Sequence, residues 1–176
     1  MRVLIMLLLC ISTLASCQST SELVQLPIPP GFEGPYTTQP GPGSSTSAYL
    51  RKIPGQSRGT LLQVTTYEFG SKLAGIPKEE LGNGAENYLL QFLAGVQRRR
   101  TSFRADKPTR IQLGGLPAAR IEWAGTSEGY PMTGVMYCVI VGTVVVSLHT
   151  QGFEDSPASD RAAAVRAIEA VTFGGG

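Results

Sequence analysis

The sequence predicts an α+β fold: an antiparallel β-sheet of about six strands flanked by two main helices. Three observations predict it. Strand-length segments with period-two alternation follow one another through short turns bearing Gly or Pro, which favours antiparallel pairing. Two stretches carry apolar residues at helical spacing, and each must bury its apolar stripe against the sheet. The hydrophobic share of 42% supports a core, while the charged share of 16% lies well below the ~25% usual for soluble domains, which argues against disorder. The 176 residues fit one domain.

The chain opens with an address. Met1-Arg2 is a positive start, Val3 to Ile11 is an unbroken apolar run (VLIMLLLCI), and small residues follow to Cys17. This is the layout of a secretory signal. As a helix, Val3 to Leu14 would rise ~18 Å, short of a ~30 Å hydrocarbon core, so the run is too short for a permanent span. Its exit, Leu14-Ala15-Ser16-Cys17, resembles the bacterial lipobox. The resemblance implies diacylglyceryl transfer to the Cys17 thiol and cleavage before Cys17. Two or more acyl chains anchor a protein stably where one does not. In the sorting rule of the lipoproteins it resembles, Gln18 stands where an Asp would mark inner-membrane retention, and the resemblance implies an outer-membrane lipoprotein facing the periplasm. The chain is thus read as signal peptide (1–16), lipidated Cys17 and polar tether (17–25), Pro/Gly-rich lead (26–45) and α+β domain (46–173).

Six of the twelve prolines crowd into Pro27 to Pro42, where missing donors and fixed φ favour extended or turn geometry. Composition leaves open whether this lead is a linker or wraps the domain; Phe32 and Tyr36 favour partial docking. Ala48 to Ile53 and Thr60 to Phe69 read as strands around a Pro54-Gly55 turn, the second rich in β-branched and aromatic residues. Asn83-Gly84-Ala85-Glu86 resembles a capping box, and Leu89, Phe92, Leu93 and Val96 share one face, so a helix is expected from Ala85 to about Arg99. Ile111 and Leu113 alternate with Arg110 and Gln112, and Ile121 and Trp123 with Arg120 and Glu122. Val135 to Val141 and Val144 to Thr150 flank Gly142-Thr143, a two-residue hairpin loop of type II′. Ser156-Pro157 starts a closing helix with Pro157 at its first position and Val165, Ile168 and Val171 facing inward.

The hairpin register tests the candidate nucleophile. Val141 faces Val144, Val139 faces Val146 and Tyr137 faces Leu148 on one side; Ile140–Val145, Cys138–Ser147 and Met136–His149 pair on the other. Cys138 and His149 become diagonal neighbours, ~7–8 Å apart at Cα. Such a pair is the raw material of a thiol-dependent hydrolase. Against this, Cys138 lies in an apolar run, free Cys is commonly a small buried hydrophobe, and no third orienting residue is identifiable. Ser147 has no nucleophile-elbow context, and no phosphate loop, dinucleotide fingerprint or metal-ligand spacing occurs. A formal charge of +2 with one His excludes a His-rich metal centre and gives no nucleic-acid footprint. One electrostatic feature stands out: Arg98, Arg99, Arg100, Arg104, Lys107 and Arg110 lie within thirteen residues with only Asp106 opposing. Such a run suits an acidic protein partner or an anionic lipid head group.

The Gly115-Leu116-Pro117-Ala118-Ala119-Arg120 turn into a strand, the long hairpin to Thr150, the closing helix with Val171-Thr172-Phe173, and the early Pro30-Gly31-Phe32 together resemble the PsbP/DcrB-like superfamily. The resemblance covers roughly Leu26 to Phe173. It implies non-enzymatic work as an accessory or adaptor module for an envelope protein partner, with no cofactor and no shared catalytic set. The expectation is therefore a lipid-anchored envelope protein, joined to its membrane through Cys17, that binds without catalysing. Its alternative is the Cys138–His149 hydrolase.

Overall fold

The structure, a computed structural model, describes residues 23–174. The leader, the lipobox with Cys17, and Gln18 lie outside the described residues.

Among the described residues, ten strands and two α-helices form the fold. β1 (Val24–Gln25) pairs with β10 (Thr172–Phe173) in a small separate sheet. The main sheet is antiparallel and runs β2 (Glu33–Thr38), β3 (Ser44–Lys52), β4 (Gly59–Glu68), β9 (Val144–Phe153), β8 (Tyr130–Val141), β7 (Leu116–Ser127). β5 (Thr101–Ala105) and β6 (Thr109–Leu113) share the free edge of the long β7, pairing with its two ends. Helix α1 (Leu81–Gln97) covers one sheet face and α2 (Ala158–Glu169) the other. The α+β class is as read, with a larger sheet than the six strands expected.

The central hairpin takes the predicted register, Val141 opposite Val144 through Met136 opposite His149. Gly142 has φ +59° and Thr143 stays in ordinary space, the type II′ pattern that matches strand twist. The lead segment supplies β2, an edge strand on which Pro35 needs no ladder donor. Phe32 packs on the α2-side core, whereas Tyr36 is exposed.

Two helix starts differ from expectation. A 3-10 turn (Lys78–Glu80) leads into α1 at Leu81, one turn before Ala85. Leu73, Ile76 and Leu81 join the core there, so packing extends the helix backward. The capping box is consequently not made: Asn83 Nδ2 donates to Glu80 Oε2 (2.6 Å), and Glu86 accepts from Arg110 Nε (2.9 Å). At α2, Pro157 keeps an extended ψ of 130° and caps the helix instead of occupying its first position. The inward face there is Ala164, Ala167, Ile168 and Val171, with Val165 only half-buried. Small residues bring α2 close over Tyr137, whose hydroxyl donates to Glu169 Oε1 (3.2 Å) and accepts from Arg120 Nε (3.2 Å).

Each helix seals its own core. Leu89 is fully buried between α1 and the β7–β8 face. Leu89→Ala is expected to cost about 3 kcal/mol, from lost transfer energy plus a cavity that rigid strands cannot close. Urea unfolding at neutral pH measures it.

Candidate functional site

The basic run is not one patch. Arg110 is held by Glu86, and Lys107 is exposed on the β5–β6 connection. Arg104 projects from β5 on the other side of the sheet, into a cleft of about 370 Å³ beside α2 that also holds Arg161 and Glu122. Only Arg98, Arg99 and Arg100 are brought together, at the C-terminal end of α1. They border a cleft of about 580 Å³ between that helix and the β2–β3–β4–β9 part of the sheet.

The cleft exists because α1 packs over β7 and β8 and leaves the neighbouring strands of the same face uncovered. Strand alternation aims polar side chains at this uncovered area. Gln63 lies opposite His149, Thr65 opposite Ser147, and Thr46 opposite Thr65. These cross-strand pairs form a continuous polar floor in which Gln63 Nε2 donates to Thr65 Oγ1 (3.0 Å) and the Thr46 and Thr65 hydroxyls share a bond (3.0 Å). Gly95 keeps the helix wall low, with Arg98 Nη2 lying 3.8 Å from where its Cβ would be. Tyr67 stacked on Phe92 at 4.9 Å forms an apolar side.

Arg100 is the half-buried member. Nη1 donates to the Arg99 carbonyl (2.9 Å), Nη2 donates to Gln151 Oε1 (3.1 Å), and the guanidinium stands 5.7 Å from the Trp123 ring centre. Among the described residues its Nε has no partner, and no carboxylate pairs with Arg98, Arg99 or Arg100. Burial, and then the neighbouring Arg99, hold the Arg100 pKa below the usual guanidinium value. This is a cation set into protein without a counter-ion.

His149 lies on the cleft floor, buried at 7% exposure. Its Nε2 accepts from Trp123 Nε1 (3.3 Å), and an indole N–H only donates, so the neutral ring carries its proton on Nδ1. Burial, and secondarily the Arg100 charge, pull its pKa down to about 3. Cys138 is fully enclosed, and burial pushes its thiol pKa far up. A neutral thiol and a neutral imidazole are the reverse of the thiolate–imidazolium state that a cysteine nucleophile needs. Among the described residues no cluster of three or more His, Cys, Asp or Glu is placed to hold a metal, and no helix is long and apolar enough to cross a membrane.

Sequence reasoning found the three arginines but missed the floor. The signal was there: Gln63 and Thr65 in β4, and Ser147, His149 and Gln151 in β9, interrupt apolar strands at period two. They are legible as one surface only once β4 and β9 are known to be neighbours.

No protein-family model matches the chain, and no curated protein sequence matches it. Solved structures share its fold. The solution structure of cyanobacterial PsbP (CyanoP) from Synechocystis sp. PCC 6803 matches with a TM-score of 0.57 at 11% identity, over 88% of this chain and 89% of that one. The crystal structure of LpqN, involved in cell envelope biogenesis of Mycobacterium tuberculosis, matches with a TM-score of 0.50 at 14% identity, over 86% and 83%. At such identities the likeness is one of fold alone: the chain shares the α+β fold of the cyanobacterial PsbP structure.

Proposed function

We propose that this chain is a lipid-anchored accessory protein of the bacterial envelope, on the outer membrane facing the periplasm, that binds a protein partner without chemically transforming it. The observation that carries the reading is how soon after Cys17 in the sequence the folded domain begins. The first strand begins at Val24, seven residues on, and is locked to the far end of the chain by Val24–Phe173 pairing and by Gly174 N–H donating to the Leu23 carbonyl (2.9 Å). Seven residues span at most ~25 Å when fully extended, so a lipid on Cys17 would hold the β1–β10 end of the body close to the bilayer. An anchored body with a short leash suits a partner that is itself in or on the membrane. LpqN, which shares the fold, is an envelope-biogenesis protein and supports the compartment. The buried, neutral state of Cys138 and His149 supports binding over thiol catalysis.

Fractionation of the native host tests the reading. Wild-type protein is expected to sediment with membranes and to crosslink there to a discrete envelope protein. Cys17→Ala should move into the soluble fraction and lose the crosslink. Wild-type protein found soluble would contradict the anchor, and rapid labelling of native Cys138 by a thiol reagent would contradict its inert burial.

A further inference from the structure

We infer that the cleft beside α1 binds a phosphate ester whose organic part carries hydroxyl groups. This goes beyond the partner-binding reading and stands apart from the anchor at Cys17.

Three features of the cleft carry it. First, Arg98, Arg99 and Arg100 converge on one rim with no carboxylate paired to them among the described residues. Arg100 is half-buried with Nε unpartnered, and a desolvated guanidinium left without an anion is costly. Guanidinium forks match phosphate oxygens in shape as well as charge. Second, the floor next to this rim is rich in groups that donate and accept, with Gln63, Thr65, Ser147 and the Nδ1–H of His149 on adjacent strands. Hydroxyl groups of a polyol complement such a surface. Third, about 580 Å³ is room for a small organic molecule, well beyond a bare ion. Phosphate at the rim and hydroxyls along the floor make one ligand of both regions.

The ester has two sources, a phosphoglycerol lipid head group or a soluble polyol phosphate, and titration of the mature protein separates them. Trp123 is the only tryptophan; it contacts both Arg100 and His149 and also borders the Arg104 cleft, so its fluorescence reports binding and the Arg104→Gln control assigns it to one cleft. Glycerol 3-phosphate is expected to bind about tenfold tighter than inorganic phosphate, through the added hydroxyl contacts. Arg98→Gln with Arg99→Gln should weaken it at least tenfold. Both residues are exposed, so an unchanged thermal melt is expected to accompany that loss. Gln63→Leu with Ser147→Ala should erase the preference over inorganic phosphate. Arg104→Gln, beside α2, should change nothing. Vesicles of phosphatidylcholine containing phosphatidylglycerol, compared with phosphatidylcholine alone, test the lipid source. Binding in either the soluble or the vesicle arm supports the inference. Binding in neither overturns it, as does equal weakening by Arg104→Gln, which would mean diffuse charge attraction. Loss of the envelope crosslink in the Arg98/Arg99 variant with glycerol 3-phosphate binding unchanged would assign the rim to the protein partner instead.

Discussion

Gly134→Val is expected to lower the unfolding free energy by about 3 kcal/mol and to expose the indole of Trp123 to water. Gly134 lies directly opposite Trp123 across the β7–β8 ladder, and the ring lies over the glycine. A Cβ at position 134 would meet the indole atoms Cε2 and Cζ2 at 2.5 Å. The indole has no easy retreat, being stacked on Phe103 (5.8 Å) and hydrogen-bonded to His149. Overpacking of this kind costs ~1–3 kcal/mol, and the second methyl of valine places the estimate at the upper end. Displacing the ring also strips His149 of its donor. Urea titration followed by tryptophan emission measures both consequences: an earlier midpoint and a red-shifted native spectrum. A variant with unchanged midpoint and emission would contradict the packing described.

Acid should unfold the protein through His149. Folding holds this imidazole neutral, with a pKa lowered from about 6.5 to about 3, so the unfolded chain binds the extra proton first. Stability from this residue is complete above pH 6.5 and is lost as pH falls through the window between the two values. At ~1.4 kcal/mol per pH unit, the loss between pH 6.5 and 4 is about 3 kcal/mol. Carboxylates titrate over part of the same range, so the decisive quantity is the difference between wild type and His149→Gln. The amide of glutamine retains an acceptor for the Trp123 N–H and takes up no proton, and its stability profile should be flatter by about that amount. Parallel profiles for the two proteins would show that His149 is not held neutral.

The parts of the fold legible in the sequence were those set by local rules. The Gly142-Thr143 loop fixes a register, and that register places every residue from Met136 to Leu148 on the correct face. The stripe of Leu89, Phe92, Leu93 and Val96 identifies α1 and the side it buries. Errors occurred where tertiary packing outweighed a local signal. Asn83 and Glu86 have capping-box chemistry, but Leu81 gains more by joining the core, and Arg110 claims Glu86. β5 was missed because its outward residues are charged or polar and its pairing is bulged between Thr101 and Arg104. β2 was hidden by Pro35, which only an edge position tolerates. For the candidate site, charge density located Arg98, Arg99 and Arg100 but grouped them with Arg104 and Arg110, which the sheet sends elsewhere. Neighbours in sequence across a turn and an edge strand need not share a face.

The central proposal is that a lipid on Cys17 anchors a binding protein whose first described strand begins seven residues on, at Val24. The intact mass of the native mature polypeptide, taken from its host without added lipid, tests this most directly. The account predicts a chain that starts at Cys17 and is heavier than its sequence by a diacylglyceryl group, with or without a further acyl chain on the amine. An unmodified mass, or a chain cut elsewhere and found free of the membrane, would contradict it.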